Sequence, residues 1–176
     1  MSAPFTLSYN LNRLGQAGDE IAFSASEDER AALAVLAGVL DVPKYDAQIR
    51  IHKLSPTRFA LAYHLAAEVM QACVVTLEPL LARITRDFER ELHYAPAPRH
   101  GGSDPAKDVA VSLEDDELRE EISSLHYDLA TPLIEEFLLA IDPYPRAPGV
   151  EFVPPETGEP KPENPFAALK GLKSGP

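Results

Sequence analysis

The stretch "FALAYHLAAEV", residues 59–69, decides the fold class of this 176-residue chain. Its odd positions are apolar or aromatic, namely Phe59, Leu61, Tyr63, Leu65, Ala67 and Val69. Side chains of a β-strand alternate between two faces, so six matches at period two predict a strand with one buried face. Ala47, Ile49 and Ile51 alternate in the same way before the turn-like "LSPTR" at 54–58. The sequence therefore predicts a β-sheet around this stretch.

Further strands are predicted on both sides of it. Residues 5–11 and 20–26 alternate like short half-buried strands. The stretch 80–94 is open between strand and helix. Its even positions are apolar with period two, yet four of them also recur every four residues: Leu80, Ile84, Phe88 and Leu92. Continuity with the preceding strands favours a strand.

Two helices are predicted. Ser26 and Glu29 have the spacing of a capping box, which marks a helix start, and the helix should stop before Pro43. One apolar stripe follows that start, made of Ala32, Leu33, Val35, Leu36, Val39 and Leu40. Asp128 can cap a second helix, whose apolar side chains recur every four residues at Leu129, Leu133, Phe137 and Ile141.

These elements predict an α+β fold, with an antiparallel β-sheet covered by two main helices in a single domain over residues 1–150. Residues 95–108 are rich in Pro and Gly, which is typical of a flexible loop. Residues 151–176 form a proline-rich tail, and its part 151–163 has too few apolar residues to offset the entropy of ordering. We therefore expect a disordered C-terminal tail that ends in a docking motif.

The charge is strongly negative and unevenly spread. The formal net charge is −12; residues 1–98 carry 12 acids against 9 Lys and Arg, and residues 99–176 carry 16 against 7. The acidic second half would repel a phosphate backbone and suits a basic protein partner, although the charge could also serve solubility alone. Since one cysteine cannot form an internal disulfide and no membrane span or secretory signal is found, the cytoplasm is the expected compartment.

The sequence carries little that points to catalysis, and we expect no enzyme, no cofactor and no metal. Cys73 is the only cysteine and lies in an apolar strand context, where burial would raise its pKa, so a buried structural role is favoured. Five scattered histidines and this cysteine lack the spacing of a metal site, and no phosphate-binding or nucleophile motif occurs. Glu78, Glu135 and Glu136 lie near apolar residues, and paired structural acids are the favoured interpretation.

The C-terminal "NPFAALKGLK", residues 164–173, is a candidate docking motif. Asn164 and Pro165 can start a short helix, and the apolar side chains at i, i+3 and i+6 would share one face flanked by lysine. The partner-binding candidates are Asn164, Pro165, Phe166, Leu169, Lys170 and Leu172. Whether this segment docks on its own domain or on a partner stays open.

Three stretches together resemble the YceD family, also called large ribosomal RNA subunit accumulation proteins. They are "QACVVTLEP" at 71–79, "DLATPLIEEFLLAIDPYPRAPG" at 128–149 and "NPFAALKGLK" at 164–173. The residues that carry the resemblance include Cys73, Glu78, Asp128 and Glu135. Many relatives have C-x-x-C where this chain has Cys73 and Thr76, so a metal or redox role of that pair does not carry over.

The resemblance implies a bacterial, cytoplasmic, non-enzymatic ribosome biogenesis factor that supports accumulation of the large-subunit (23S) ribosomal RNA. In many bacteria the family's gene lies beside that of a small, basic large-subunit ribosomal protein. Together with the charge, this predicts a ribosomal protein or a large-subunit assembly intermediate as partner. The alternative is direct ribosomal RNA binding through a local basic face, with Arg50, Lys53, Arg58, Arg83, Arg86 and Arg90 as candidates; an uncharacterised enzyme is a third hypothesis.

Overall fold

A computed structural model of the chain describes residues 3–96 and 119–151. The described residues contain seven strands and two α-helices. In chain order these are β1 (Ser8–Asn10), β2 (Asp19–Ser24), α1 (Glu27–Ala37), β3 (Asp41–Lys53), β4 (Arg58–Ala72), β5 (Pro79–Tyr94), β6 (Arg119–Ile122), β7 (His126–Asp128) and α2 (Ala130–Ala140). The predicted α+β class is confirmed. The predicted disordered tail and most of the predicted loop 95–108 lie outside the described residues, and the domain boundary at 150 stays a prediction.

The strands form two sheets, a large one of order β2-β3-β4-β5-β6 and a two-stranded one of β1 and β7. All pairs are antiparallel except β5 with β6, which run parallel. The predicted antiparallel sheet is therefore confirmed except at one edge, where β6 runs parallel to β5. Parallel neighbours need a connection of about a dozen residues or more. The 24 residues between Tyr94 and Arg119 meet that requirement.

The alternation in β4 organises the large sheet. Its odd residues from Phe59 to Gln71 are buried and its even ones are half-buried, as the sequence predicts. We call the face with the odd residues of β4 the core face and the opposite one the outer face. Leu65 lies opposite Ala47 on β3 and Arg86 on β5, so the even residues of β5 share the core face. The stretch 80–94 is thus a strand, since a fifteen-residue ladder with β4 outweighs its helical spacing.

Helix α1 begins as predicted and ends earlier than predicted. The Ser26 and Glu29 capping box is formed, with Glu29 Oε2 accepting the Ser26 N–H at 2.8 Å. The helix ends at Ala37, because Gly38 adopts a left-handed conformation with φ of 65°. The predicted stripe is therefore only partly correct, since Leu40 lies beyond the helix and Val35 is 85% exposed.

Helix α2 and the N-terminal strand pack on this framework. Leu129, Leu133 and Phe137 are buried as their spacing predicts, and the Phe137 ring meets the Tyr45 ring of β3 edge-on at 5.3 Å. That the two helices cover the sheet stays a prediction. The strand predicted at 5–11 is only three residues long as β1, and it continues into a 3₁₀ turn, Leu11–Arg13.

Candidate functional site

A cavity of about 600 Å³ lies between the end of β5, the short strands β6 and β7, and helix α2. Its charged lining comprises five carboxylates and one guanidinium, which leaves a formal excess of four negative charges. The carboxylates are Glu89, Glu120, Asp128, Glu135 and Glu136, and the guanidinium is that of Arg90. Phe88, Tyr127, Thr131 and Pro132 complete the wall. We refer to this feature as the acidic cavity.

Arg90 is the cation of the acidic cavity. It lies on the core face of β5, opposite Leu61, and its side chain extends toward α2. Its Nη2 atom is 3.5 Å from Glu135 Oε2 and 3.7 Å from Glu136 Oε1. Both distances are short enough for an ion pair. Both are longer than an ordinary charge-assisted hydrogen bond. Arg90 is 35% exposed at its side chain, so it offsets only part of the negative charge and is loosely held.

Tyr127 lines the acidic cavity, and Tyr63 contacts the lining residue Phe88. Tyr127 Oη donates a hydrogen bond to Glu120 Oε2 at 2.8 Å. Burial, and then this hydrogen bond, raise the pKa of Tyr127 above its ordinary value, so the phenol stays protonated. The buried Tyr63 ring stacks on Phe88 at 4.6 Å, and its hydroxyl makes no hydrogen bond with the described residues. Burial, followed by the charge of Glu120, raises the pKa of Tyr63.

Asp128 holds the start of α2 against β1. Its Oδ1 atom accepts the N–H of Leu7 at 2.8 Å and that of Ala130 at 3.1 Å, and its Oδ2 atom accepts from Thr131 Oγ1 at 3.2 Å. The sequence predicts a helix cap at Asp128, but the N-cap position is Leu129, whose side chain makes no capping bond. The Asp128 carboxylate, one residue earlier, accepts the first N–H of α2. With three donors satisfied, Asp128 positions the wall of the cavity.

The six basic candidates do not share one face. Arg50, Arg58 and Arg83 lie on the outer face, whereas Lys53, Arg86 and Arg90 lie on the core face. Three of them are engaged with carboxylates: Arg58 with Glu91 at 2.6 Å, Arg83 with Glu68 at 3.1 Å, and Arg90 as described above. Their use in RNA binding stays a prediction.

Cys73 does not lie in a strand, which corrects the sequence interpretation. Strand β4 ends at Ala72, and Cys73 begins the loop that leads into β5, where its N–H donates to the Glu78 carbonyl at 2.8 Å. The residue is buried, yet its pKa is lowered to about 7 rather than raised. The Thr76 side chain is the largest cause. The backbone N–H groups of Thr76 and Ala147, each 3.5 Å from Sγ, add to it.

The other predicted site residues are not brought into the acidic cavity. Glu78 is exposed in the loop after Cys73. The six partner-binding candidates from Asn164 to Leu172 lie outside the described residues. Within the described ranges, no cluster of three or more His, Cys, Asp or Glu side chains is placed to hold a metal ion. No helix among them is long and apolar enough to cross a membrane.

Sequence reasoning missed Glu89, Glu120 and Tyr127 as cavity residues. Glu120 belongs to the charge run "EDDELREE" at 114–121, and such runs are typical of a solvated face or loop. The lining comes from four elements, so no spacing along the chain joins these residues. The unequal charge of the two halves was the one usable signal, since four of the five carboxylates belong to the second half.

The fold and the cavity define a small α+β protein with an acidic surface cavity. A model of the family described as "Large ribosomal RNA subunit accumulation protein YceD" matches residues 61–173, more than half of the chain. The chain therefore belongs to the YceD family, which confirms the resemblance. No curated protein and no solved structure matches it. Membership implies a role in the accumulation of large-subunit ribosomal RNA, and the family is named as an accumulation factor rather than as an enzyme.

Proposed function

We propose that this YceD-family protein supports accumulation of large-subunit ribosomal RNA by binding a basic partner at the acidic cavity. The partner is a basic large-subunit ribosomal protein, or an assembly intermediate that displays one. The observation that carries the proposal is the excess of four negative charges around a cavity of about 600 Å³. Concentrated charge of one sign in a concave site attracts the opposite charge and sets the orientation of the complex.

The geometry of Arg90 supports this assignment. Because its guanidinium is 3.5 Å and 3.7 Å from the carboxylates of Glu135 and Glu136, both acids retain capacity to accept stronger hydrogen bonds. A lysine or arginine of a partner could form charge-assisted bonds with them, each worth about 1.5–3 kcal/mol. Glu135 is more than half exposed and thus accessible.

A charge-neutral double variant tests the proposal. Glu135→Gln with Glu136→Gln keeps the shape of the cavity and removes two charges. Recovery of basic large-subunit ribosomal proteins with the tagged full chain should fall several-fold, and large-subunit ribosomal RNA should fall in cells that depend on this variant. The matched control is Glu20→Gln with Glu27→Gln, which removes two exposed charges outside the cavity. Equal recovery with both double variants would exclude the acidic cavity as the binding site.

Direct RNA binding is the second candidate, favoured by three basic residues that no carboxylate pairs with among the described residues: Arg50, Lys53 and Arg86. Of these, Lys53 and Arg86 share the core face, and two phosphate contacts there predict a slope of log K against log salt of about −1.4 for single-stranded RNA. Filter binding of large-subunit ribosomal RNA fragments over a salt series measures it. A flat response, or no binding, removes this candidate.

The hypothesis that the C-terminal docking motif binds the partner needs a separate experiment. The candidate docking motif around Phe166 and Leu169 contributes to the same complex if it binds in trans. Adding Phe166→Ala and Leu169→Ala to the cavity variant should then reduce recovery of large-subunit components further than the cavity variant does alone. Unchanged recovery would remove the tail from the interface.

A further inference from the structure

Strand β5 has one fully paired edge and one largely free edge. On one side it pairs with β4 from Pro79 to His93. On the other side β6 pairs with it only from Glu91 to Tyr94. From Pro79 to Arg90 this second edge has no strand partner among the described residues. An unpaired edge of this length is a template for an incoming strand.

The phase of the β4–β5 ladder shows which backbone groups point outward. At one end the Cys73 N–H donates to the Glu78 carbonyl, and at the other end the Tyr94 N–H donates to the Thr57 carbonyl. In an antiparallel pair, hydrogen-bonded positions alternate along each strand. Even residues of β5 therefore bond to β4. The odd residues Leu81, Arg83, Thr85, Asp87 and Glu89 direct both N–H and C=O toward the free edge.

The free edge of β5 opens into the acidic cavity. Phe88, Glu89 and Arg90 line that cavity opposite α2. A strand added here would place its side chains alternately on the two faces of the sheet. On the core face they would meet Glu135 and Glu136, and on the outer face they would meet the exposed side chains of Asp87 and Glu89. Arg86 and Arg90 also lie on the core face here, so these four acids leave an excess of two negative charges at this end of the edge.

We propose that an extended basic segment of the partner adds as a strand to the free edge of β5, with a lysine or arginine side chain in the acidic cavity. This inference rests on the proposed function, because it specifies how the basic partner binds. Backbone hydrogen bonds would supply part of the affinity, and the cavity would select for positive charge, as in other cases of strand addition.

Backbone-blocked peptides test strand addition separately from charge. The probe is a twelve-residue peptide that alternates lysine and threonine. Two further versions are N-methylated on alternate residues, one on the even set and one on the odd set, so that charge is unchanged. We expect one methylated version to bind the full chain about tenfold more weakly or worse, since methylation removes edge hydrogen bonds, and the other to bind like the parent.

Amide hydrogen exchange by NMR locates the contact. Adding the parent peptide should protect the outward N–H groups of the odd residues from Leu81 to Glu89, whereas the intervening even residues are already protected by β4. On the protein side, Thr85→Pro removes an outward N–H without touching the β4 ladder and should weaken binding about tenfold. Thr85→Ala is its control and should bind like the wild type.

Several results would overturn strand addition. They are equal affinity of all three peptides, no binding of the parent peptide, or odd-residue protection in the absence of peptide. If the odd residues are protected without peptide, protection that increases with protein concentration would assign the edge to a second copy of the chain. Protection that does not depend on protein concentration would assign it to another segment of the same chain. If all three peptides bind equally but Glu135→Gln with Glu136→Gln weakens them all, strand addition is wrong and the proposed function stands.

Discussion

The core face and the outer face of β4 differ although they belong to one strand. The core face carries large, fully buried side chains such as Leu61, Tyr63 and Leu65. The outer face carries small, half-buried residues such as Ala62 and Ala66, bordered by exposed ion pairs. This difference in burial predicts that substitutions on the core face cost more stability than substitutions on the outer face. The acidic cavity lies where the core face reaches the free edge of β5 and is no longer sealed by apolar packing.

The largest expected effect is on the core face. Leu65→Ala should lower the free energy of unfolding by about 2–5 kcal/mol, because it removes a fully buried side chain and leaves a cavity. Urea unfolding followed by circular dichroism measures it. The neighbouring outer-face variant Ala66→Ser should change stability by no more than about 0.5 kcal/mol. Similar losses for the two variants would contradict the distinction between the faces.

Removing one buried polar atom from the core face should increase the free energy of unfolding. The Tyr63 hydroxyl is buried and makes no hydrogen bond with the described residues, so Tyr63→Phe should stabilise the protein by about 1 kcal/mol. Tyr127→Phe is the matched control. It should cost about 1 kcal/mol, since it breaks the 2.8 Å bond to Glu120. A loss for Tyr63→Phe would mean that its hydroxyl has a stabilising partner.

The stability contributed by Cys73, the residue that follows β4, should depend on pH. The donors around Sγ lower the pKa of this thiol from 9.0 to about 7 in the folded chain. A depressed pKa contributes stability that is fully present above the unfolded value and is lost as pH falls through the folded value. The stability difference between wild type and Cys73→Ser should therefore grow from pH 7 to pH 9. A difference independent of pH would show that the donors do not favour the thiolate.

The smallest effect belongs to the outer face. Arg83→Ala removes an exposed ion pair with Glu68, in which the Arg83 side chain is 79% exposed. It should cost about 0.2–1 kcal/mol at low salt and nothing measurable at high salt. Thermal unfolding at two salt concentrations decides it. A loss that persists at high salt would indicate packing by the arginine stem instead of charge.

Much of the fold could be predicted because its signals are local. The alternation in β4 and the capping box at Ser26 involve residues that are neighbours in sequence, so their pattern survives any tertiary arrangement. The end of α1 was predicted less well, since both Gly38 and Pro43 are valid stops and the nearer one acts first. The stretch 80–94 was ambiguous on its own, and only its ladder with β4 made it a strand.

The candidate site depended on distant contacts and could be predicted only as an acidic half. The pairing of Arg90 with Glu135 joins residues 45 positions apart in the sequence, and no periodicity links them. Contacts between distant residues also set the environment of Cys73. Apolar neighbours in sequence indicated a raised pKa, whereas Ala147, 74 residues away, brings one of the N–H donors that lower it.

The sequence by itself determined the α+β class, the course of β4, the start of α1, the negative charge of the second half and membership in the YceD family. These follow from patterns within one strand, one helix turn or one ordered set of motifs. Only the tertiary structure decided the parallel edge strand, the free edge of β5 and the acidic cavity. They depend on which backbone and charged groups meet across long separations, and pairing of that kind is set by register and packing rather than by local spacing.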